Sequence, residues 1–287
     1  MNYSLYRLER SDFPPLLGEI PQPPKTLYCA GVLPKEGTKL LTVVGSRKCT
    51  PYGKEICERL IQELQGYPVS IVSGLALGID AVAHTTAIKN NLHTIAIPGS
   101  GLSPHALYPS SHIRLAELIV ESGGALLSEF EPDFHATNWS FPQRNRLMAG
   151  IADATLVIEA ERKSGTLITS RLATDYNRRV LTVPGSIFSK NSEGPHMLIR
   201  LGATPVTCGA DILQELGFDV THAQKKTIDT STLSSDEIRI VELLEQPQER
   251  DVVIRALGLP VHVTNSILSA MEIKGVITES MGEIRLT

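Results

Sequence analysis

The chain has 287 residues, 42% of them hydrophobic and 20% charged, with a formal net charge of −4. This is the composition of a soluble globular protein with room for one large domain and one small one. No apolar run is long enough to span a bilayer, and the N-terminus lacks a signal-peptide core, so a cytosolic location is expected and no membrane partner. The acidic balance argues against duplex binding over the whole surface and confines any nucleic-acid contact to a local basic groove.

The first residues, 1–39, are rich in proline and weakly periodic. They read as an extended arm wrapping the next domain, with one short strand near Thr26 to Ala30. From 40 to 218 the pattern is strand, glycine-rich turn, helix, repeated. Strands are predicted at 40–45, 69–73, 93–98, 125–129, 154–160, 179–183 and near 204–207. Most are apolar runs without alternation, as in strands buried on both faces of a parallel sheet. Helices are predicted at Tyr52 to Leu64, Ile79 to Asn90, His112 to Ser122, Arg144 to Ile151 and Thr166 to Arg178. The implied fold class is α/β, a doubly wound, mostly parallel Rossmann-like sheet. Residues 219–232 are polar and aperiodic and read as a linker. In 233–287, three helix-sized segments precede Val276 to Thr278 and Glu283 to Leu286, the order of a small winged-helix domain.

Four segments of this chain meet at the carboxyl edge of such a sheet, where backbone N–H groups and helix N-termini point at anions. Gly45, Ser46 and Arg47 follow the first core strand. Glycine admits a phosphate close to the backbone, serine donates, and Arg47 adds a bidentate fork. Ser73 and Gly74 end the second strand, and Asp80 and His84 on the next helix suit capping or dipole roles better than catalysis. Trp139 and Phe141 precede a proline-started helix bearing Arg144, Asn145 and Arg146. Aromatic faces stack nucleobases for roughly 1–3 kcal/mol each while arginines follow the backbone. The two arginines, two residues apart on a helix, cannot face the same way, so at least one is expected in a structural ion pair. Ser164, Gly165 and Thr166 open a further helix as an anion nest. Between Asn138 and Arg179, seven basic residues face four acidic ones.

The four cysteines form no paired motif and the histidines no ligand spacing, so neither a metal nor a cofactor is expected. From Thr232 onward, nine acidic residues outnumber five basic ones, and the candidate recognition helix, His262 to Lys274, carries one lysine. Duplex reading needs several phosphate contacts, so this module is expected to dock protein or to regulate.

Together, the segments Gly45-Ser46-Arg47, Ser73-Gly74 through Ile79-Asp80, Phe141-Pro142 through Arg146 and Ser164-Gly165-Thr166-Leu167-Ile168-Thr169 resemble the DNA-processing protein A family (DprA, also called Smf). Val183-Pro184-Gly185 and Leu107-Tyr108-Pro109 do so too. The resemblance implies an extended Rossmann domain that binds single-stranded DNA without catalysis, protects incoming strands, dimerises, and loads RecA recombinase in natural transformation. It places Gly45, Ser46, Arg47, Ser73, Gly74, Phe141, Arg144, Asn145, Arg146, Ser164, Gly165 and Thr166 in the strand-binding pocket. Two positions where members often carry lysine fall here in Ala136-Thr137-Asn138 and Ser110-Ser111, which shifts the expected burden onto Trp139 stacking. The rival reading is a phosphoribohydrolase-like Rossmann enzyme. Its signature needs a double glycine and a following glutamate, and residues 162–169 have neither. Glu129 and Asp153, at strand edges, are expected to be solvated or to cap. A duplex-reading transcription regulator is disfavoured by the acidic C-terminal module.

Overall fold

The computed structural model describes residues 3–220, 233–244, 246–280 and 282–286. Apart from Asp219 and Val220, the expected linker at 219–232 lies outside these residues. The chain divides into two compact units, residues 1–221 and 222–287.

Among the described residues of the larger unit, nine strands form one sheet. In chain order they are β1 (Tyr6–Arg7), β2 (Tyr28–Gly31), β3 (Lys39–Val44), β4 (Val69–Ser73), β5 (His93–Ala96), β6 (Ala125–Ser128), β7 (Ala154–Val157), β8 (Arg179–Thr182) and β9 (Thr204–Pro205). Their spatial order is β1-β2-β6-β5-β4-β3-β7-β8-β9. From β6 to β9 every pairing is parallel; β2 pairs β6, and β1 pairs β2, antiparallel. The chain winds outward from β3 through β6, then returns to build on the other flank of β3 with β7. The crevice between β3 and β7 is therefore the topological switch point, where open α/β sheets bind ligands.

The N-terminal segment packs on the sheet domain and carries the expected strand as β2. Its two strands extend the sheet, and Leu17, Ile20 and Leu27 are buried among Leu147, Met148 and Ile151. The helices of this unit are α1 (Pro51–Gln62), α2 (Ile79–Lys89), α3 (Ile113–Glu121), α4 (Ser140–Ile151), α5 (Thr166–Asp175), α6 (Glu193–Arg200) and α7 (Gly209–Glu215). Leu41, Val43 and Ile71 face α1, α2 and α7 on one side of the sheet. On the other, Leu40, Val44 and Val72 pack on α4 and the N-terminal segment. Both faces are dry, which explains why the strands read as continuous apolar runs. Helix α4 starts at Ser140, four residues before the sequence predicts, because the Ser140 hydroxyl anchors it, its single proton shared between the Gly99 and Thr137 carbonyls at 2.5 and 2.8 Å. Phe141 and Pro142 thus belong to its first turn instead of preceding it.

The smaller unit holds α8 (Ser235–Leu243), β10 (Gln248–Glu249), α9 (Arg250–Leu257), α10 (Val261–Ile273), β11 (Ile277–Ser280) and β12 (Glu283–Leu286). Its core is Ile240, Leu244, Val253, Leu257, Leu268, Met271, Ile277 and Ile284. The sheet, ordered β10-β12-β11, completes a winged helix. No single described helix is long and apolar enough to cross a membrane.

Candidate nucleic-acid interface

A cleft of about 490 Å³ opens at the switch point. One wall is the turn after β3, Gly45 to Lys48; the opposite wall runs from Glu161 to Thr169 and includes the first turn of α5; the first two turns of α4 close the back. The walls are held together by hydroxyls. Thr166 Oγ1 donates to the Gly45 carbonyl at 3.1 Å, and Ser164 Oγ donates to Thr166 Oγ1 at 3.0 Å. Gly165 is exposed, with open space where a Cβ would lie. A side chain at Gly45 would have its Cβ 2.5 Å from the buried Ile79, so this turn is also pressed against the start of α2.

The N-terminus of α1 itself is not free to take an anion. Thr50 caps it, accepting from Gly53 N–H at 3.0 Å. The buried Glu159 then accepts from Thr50 N–H at 2.9 Å and from its hydroxyl at 2.5 Å. Glu159 is an internal acceptor that orients the turn, a role carried by no local sequence signature. What the turn offers to a ligand is the exposed Arg47 and Lys48 with the half-buried Ser46, whose oxygen accepts from Lys48 N–H at 3.1 Å.

Arg47 lies with its guanidinium carbon 5.3 Å from the centroid of Phe141, a cation–π arrangement that holds both at the mouth. Phe141 in turn contacts Tyr108, ring centroids 5.6 Å apart. With Lys48 and Lys163, the cleft lining carries three cations besides Arg144, against the carboxylates of Asp80 and Glu161.

Several predicted residues sit elsewhere than a strand-binding role requires. Ser73 is fully buried beneath the cleft, donating to the Val43 carbonyl at 2.7 Å. Gly74 contributes its carbonyl, which accepts from Arg144 at 2.6 Å, and its missing side chain, whose place the guanidinium takes. Arg144 lines the cleft but is buried, its guanidinium bonded also to the Ile97 carbonyl and to Asn145 Oδ1, so its donors are engaged by the protein. Burial lowers its pKa to about 10, opposed by Asp80, which leaves it charged at neutral pH and adds positive potential under the cleft. Asn145, also buried, meets the cleft beside it. Arg146 faces away from the cleft: it pairs with Glu129 and donates to the Gln22 carbonyl at 2.6 Å. Its geometry fulfils the helical argument that the two arginines diverge. Glu129 is therefore held in an ion pair and not solvated or capping, while Asp153 accepts from Lys39 Nζ and Leu40 N–H at 2.8 and 2.9 Å. Trp139, though 56% exposed, is not among the residues lining the cleft; it packs edge-on against Phe130 and Phe134. Lys48, which directly follows Arg47 in the exposed turn, joins the lining although no sequence motif singles it out.

Asp80 accepts from the Gly74 and Ala76 N–H groups at 3.1 and 3.3 Å. It braces the β4–α2 loop and does not cap α2. Burial raises its pKa, against the pull of Arg144 and the two N–H donors. His84 is structural as well, with Nδ1 2.8 Å from Thr94 Oγ1. Burial, reinforced by His112 and Arg144, lowers its pKa to about 3. The unfolded chain therefore takes up this proton first, so the stability held above about pH 6.5 is lost as pH falls toward the folded value. At about pH 5 the loss is about 2 kcal/mol. Urea unfolding near pH 7 and pH 5 should show wild type losing that much more than His84→Gln; equal losses would refute it.

The family model for DNA recombination-mediator protein A matches residues 4–217, and that for the DprA winged helix domain matches 224–283. The chain belongs to the DNA-processing protein A family. It is 36% identical to Escherichia coli protein Smf over 282 residues, covering 96% of this chain and 75% of Smf. It is 41% identical to DNA processing protein DprA of Streptococcus pneumoniae over 202 residues, 70% of each chain. The X-ray structure of the pneumococcal DprA matches with a TM-score of 0.70 at 38% identity, covering 76% of each chain. A Helicobacter pylori DprA, described for its mode of binding single-stranded DNA, matches with a TM-score of 0.65 at 28% identity, covering 75% of this chain and 96% of that one. The DprA winged helix here has most of its cations engaged: Lys274 pairs with Glu237 at 2.6 Å, Arg239 with Asp236 at 3.6 Å, and Arg250 with Glu279.

Proposed function

We propose that this chain binds single-stranded DNA without sequence preference in the switch-point cleft and performs no chemistry on it. The observation that carries this reading is Arg47 lying over Phe141 at the mouth of a cleft lined by Lys48, Lys163 and the exposed Gly165 turn. Phosphates would run along the two turns while a base stacks on Phe141, an arrangement that tolerates any sequence. The absence of a catalytic role is supported by the state of the buried acids, since Asp80 is occupied by N–H donors of its own loop and Glu159 by the Thr50 N–H and hydroxyl of the turn after β3. Family membership supports the rest of the reading. A homodimer would lengthen the track, protect incoming DNA and present it to RecA recombinase in transformation, from the cytoplasm. The acidic winged helix would dock protein or regulate, since its recognition helix has few free cations to offer a duplex.

The test is binding of a fluorescent oligothymidine and of its duplex to wild type and Arg47→Ala over a salt series. Wild type should bind the single strand tightly and salt-sensitively. Losing one charged phosphate contact should weaken it about 10- to 100-fold and reduce the salt slope by about 0.7. No binding by wild type at low salt, or equal binding by the variant, would sink the cleft assignment and make small phosphate ligands the next candidates.

A further inference from the structure

Residues 183–192 join β8 to α6 at the same carboxyl edge of the sheet. Both feet of this loop are fastened. The Pro184 carbonyl accepts from Tyr52 OH at 2.7 Å, and the Gly185 carbonyl lies 2.9 Å from His196 Nε2. At the other foot, Asn191 Nδ2 donates to the Lys48 carbonyl at 3.3 Å, and the Asn191 carbonyl accepts from Ala160 N–H at 2.8 Å. The turn between them is internally bonded, Ser189 N–H to the Ser186 carbonyl at 3.1 Å and Phe188 N–H to Ser186 Oγ at 3.3 Å. Yet this fastened turn presents Ile187 and Phe188 to solvent, 80% and 92% exposed. Phe188 is the most exposed large apolar side chain among the described residues.

The surroundings decide what such a projection fits. Along the chain it is flanked by Ser186, Ser189, Lys190 and Glu193, all polar, and the one other exposed aromatic tied to the loop among the described residues is Tyr52, so these few apolar side chains fall far short of the roughly 800 Å² per partner that a stable protein interface buries. The adjoining exposed cations Lys48 and Lys190 have no carboxylate partner among the described residues. An exposed aromatic side chain two residues from Lys190, on a loop tied to the backbone of Lys48, carries the pairing of ring and cation that a base between phosphates would meet. Through Asn191 the loop is tied to Lys48, which lines the cleft.

We propose that Phe188, with Lys190, forms a second stacking site for a strand that leaves the cleft past Lys48. This rests on the single-strand reading of the cleft and extends it. A strand of about 4 nucleotides fills the cleft alone, whereas one of about 20 reaches the loop as well.

The experiment measures both oligothymidines against wild type, Arg47→Ala, Phe188→Ala, Phe188→Leu and Phe188→Trp. Phe188→Ala and Phe188→Leu should bind the long strand about tenfold more weakly and the short one unchanged; Phe188→Trp should bind both as wild type does. Arg47→Ala should weaken both about 10- to 100-fold. At its exposure none of the Phe188 variants threatens folding. Unchanged long-strand binding by Phe188→Ala overturns the proposal while leaving the cleft intact. Restoration by leucine equal to tryptophan overturns it too, because the site would then be merely apolar. Sedimentation showing that Phe188→Ala dissociates a dimer would assign the surface to a second copy and overturn it likewise. A wild type that binds neither strand removes the cleft reading, and this one with it.

Discussion

Replacing Arg144 with methionine should destabilise the larger unit by about 3–5 kcal/mol in urea unfolding, although the residue sits in a cleft read as a binding site. Its guanidinium occupies the space over Gly74, donating to that carbonyl and to Ile97, which are the ends of two adjacent strands. Methionine fills much of the volume but leaves both carbonyls without a donor and the buried Asp80 carboxylate without its compensating charge. Lysine keeps the charge but cannot span two carbonyls and Asn145 with one ammonium, so Arg144→Lys should recover part of the loss, not all. Asp80→Asn in the methionine background removes the stranded charge and should be less destabilising than additivity predicts. A loss under about 1 kcal/mol for Arg144→Met would mean the arginine serves the ligand instead of the fold.

The parallel core was legible because burial on both faces leaves a plain signature, uninterrupted runs such as Leu40 to Val44 bounded by glycine turns. Strand β1 was not, since two residues carry no periodicity and Tyr6 and Arg7 become a strand only by pairing with Cys29 and Tyr28. Helix α6 was hidden by Gly194 and Pro195, which suggest a turn but sit harmlessly in a first helical turn. At the site, glycine turns and Arg47 were readable as local chemistry. The division of labour between Arg144 and Arg146 was readable only as a divergence. Which one turned inward depended on carbonyls at Gly74 and Ile97, and backbone acceptors have no residue identity. Trp139 misled for a related reason: its partners, Phe130 and Phe134, come from the loop after β6, and only the fold brings them together.

Gly78→Ala should separate the geometry of the cleft from its chemistry. Gly78 has φ +77°, and a Cβ there would collide with the Ser46 carbonyl and the Arg47 backbone, although Gly78 is not among the residues lining the cleft. The strained backbone alone costs about 1–3 kcal/mol, and the collision brings the expected loss of stability to about 3 kcal/mol or more. The Ile79 N–H also donates to the Ser46 carbonyl at 3.2 Å, so the start of α2 sets the height of the Ser46–Arg47 turn. Relief of the collision moves that turn, and with it Arg47 off the Phe141 face. Single-strand affinity should therefore fall about tenfold even at temperatures where the variant is fully folded. Gly66→Ala is the matching control. It has φ +89° but open space around the new Cβ, so it should cost stability from backbone strain and leave DNA binding as it was. If Gly78→Ala, folded, binds the strand as tightly as Gly66→Ala, then α2 does not position the turn. Arg47 would then reach phosphate by its own length and flexibility, and the apposition of Gly78 and Ser46 would belong to packing alone.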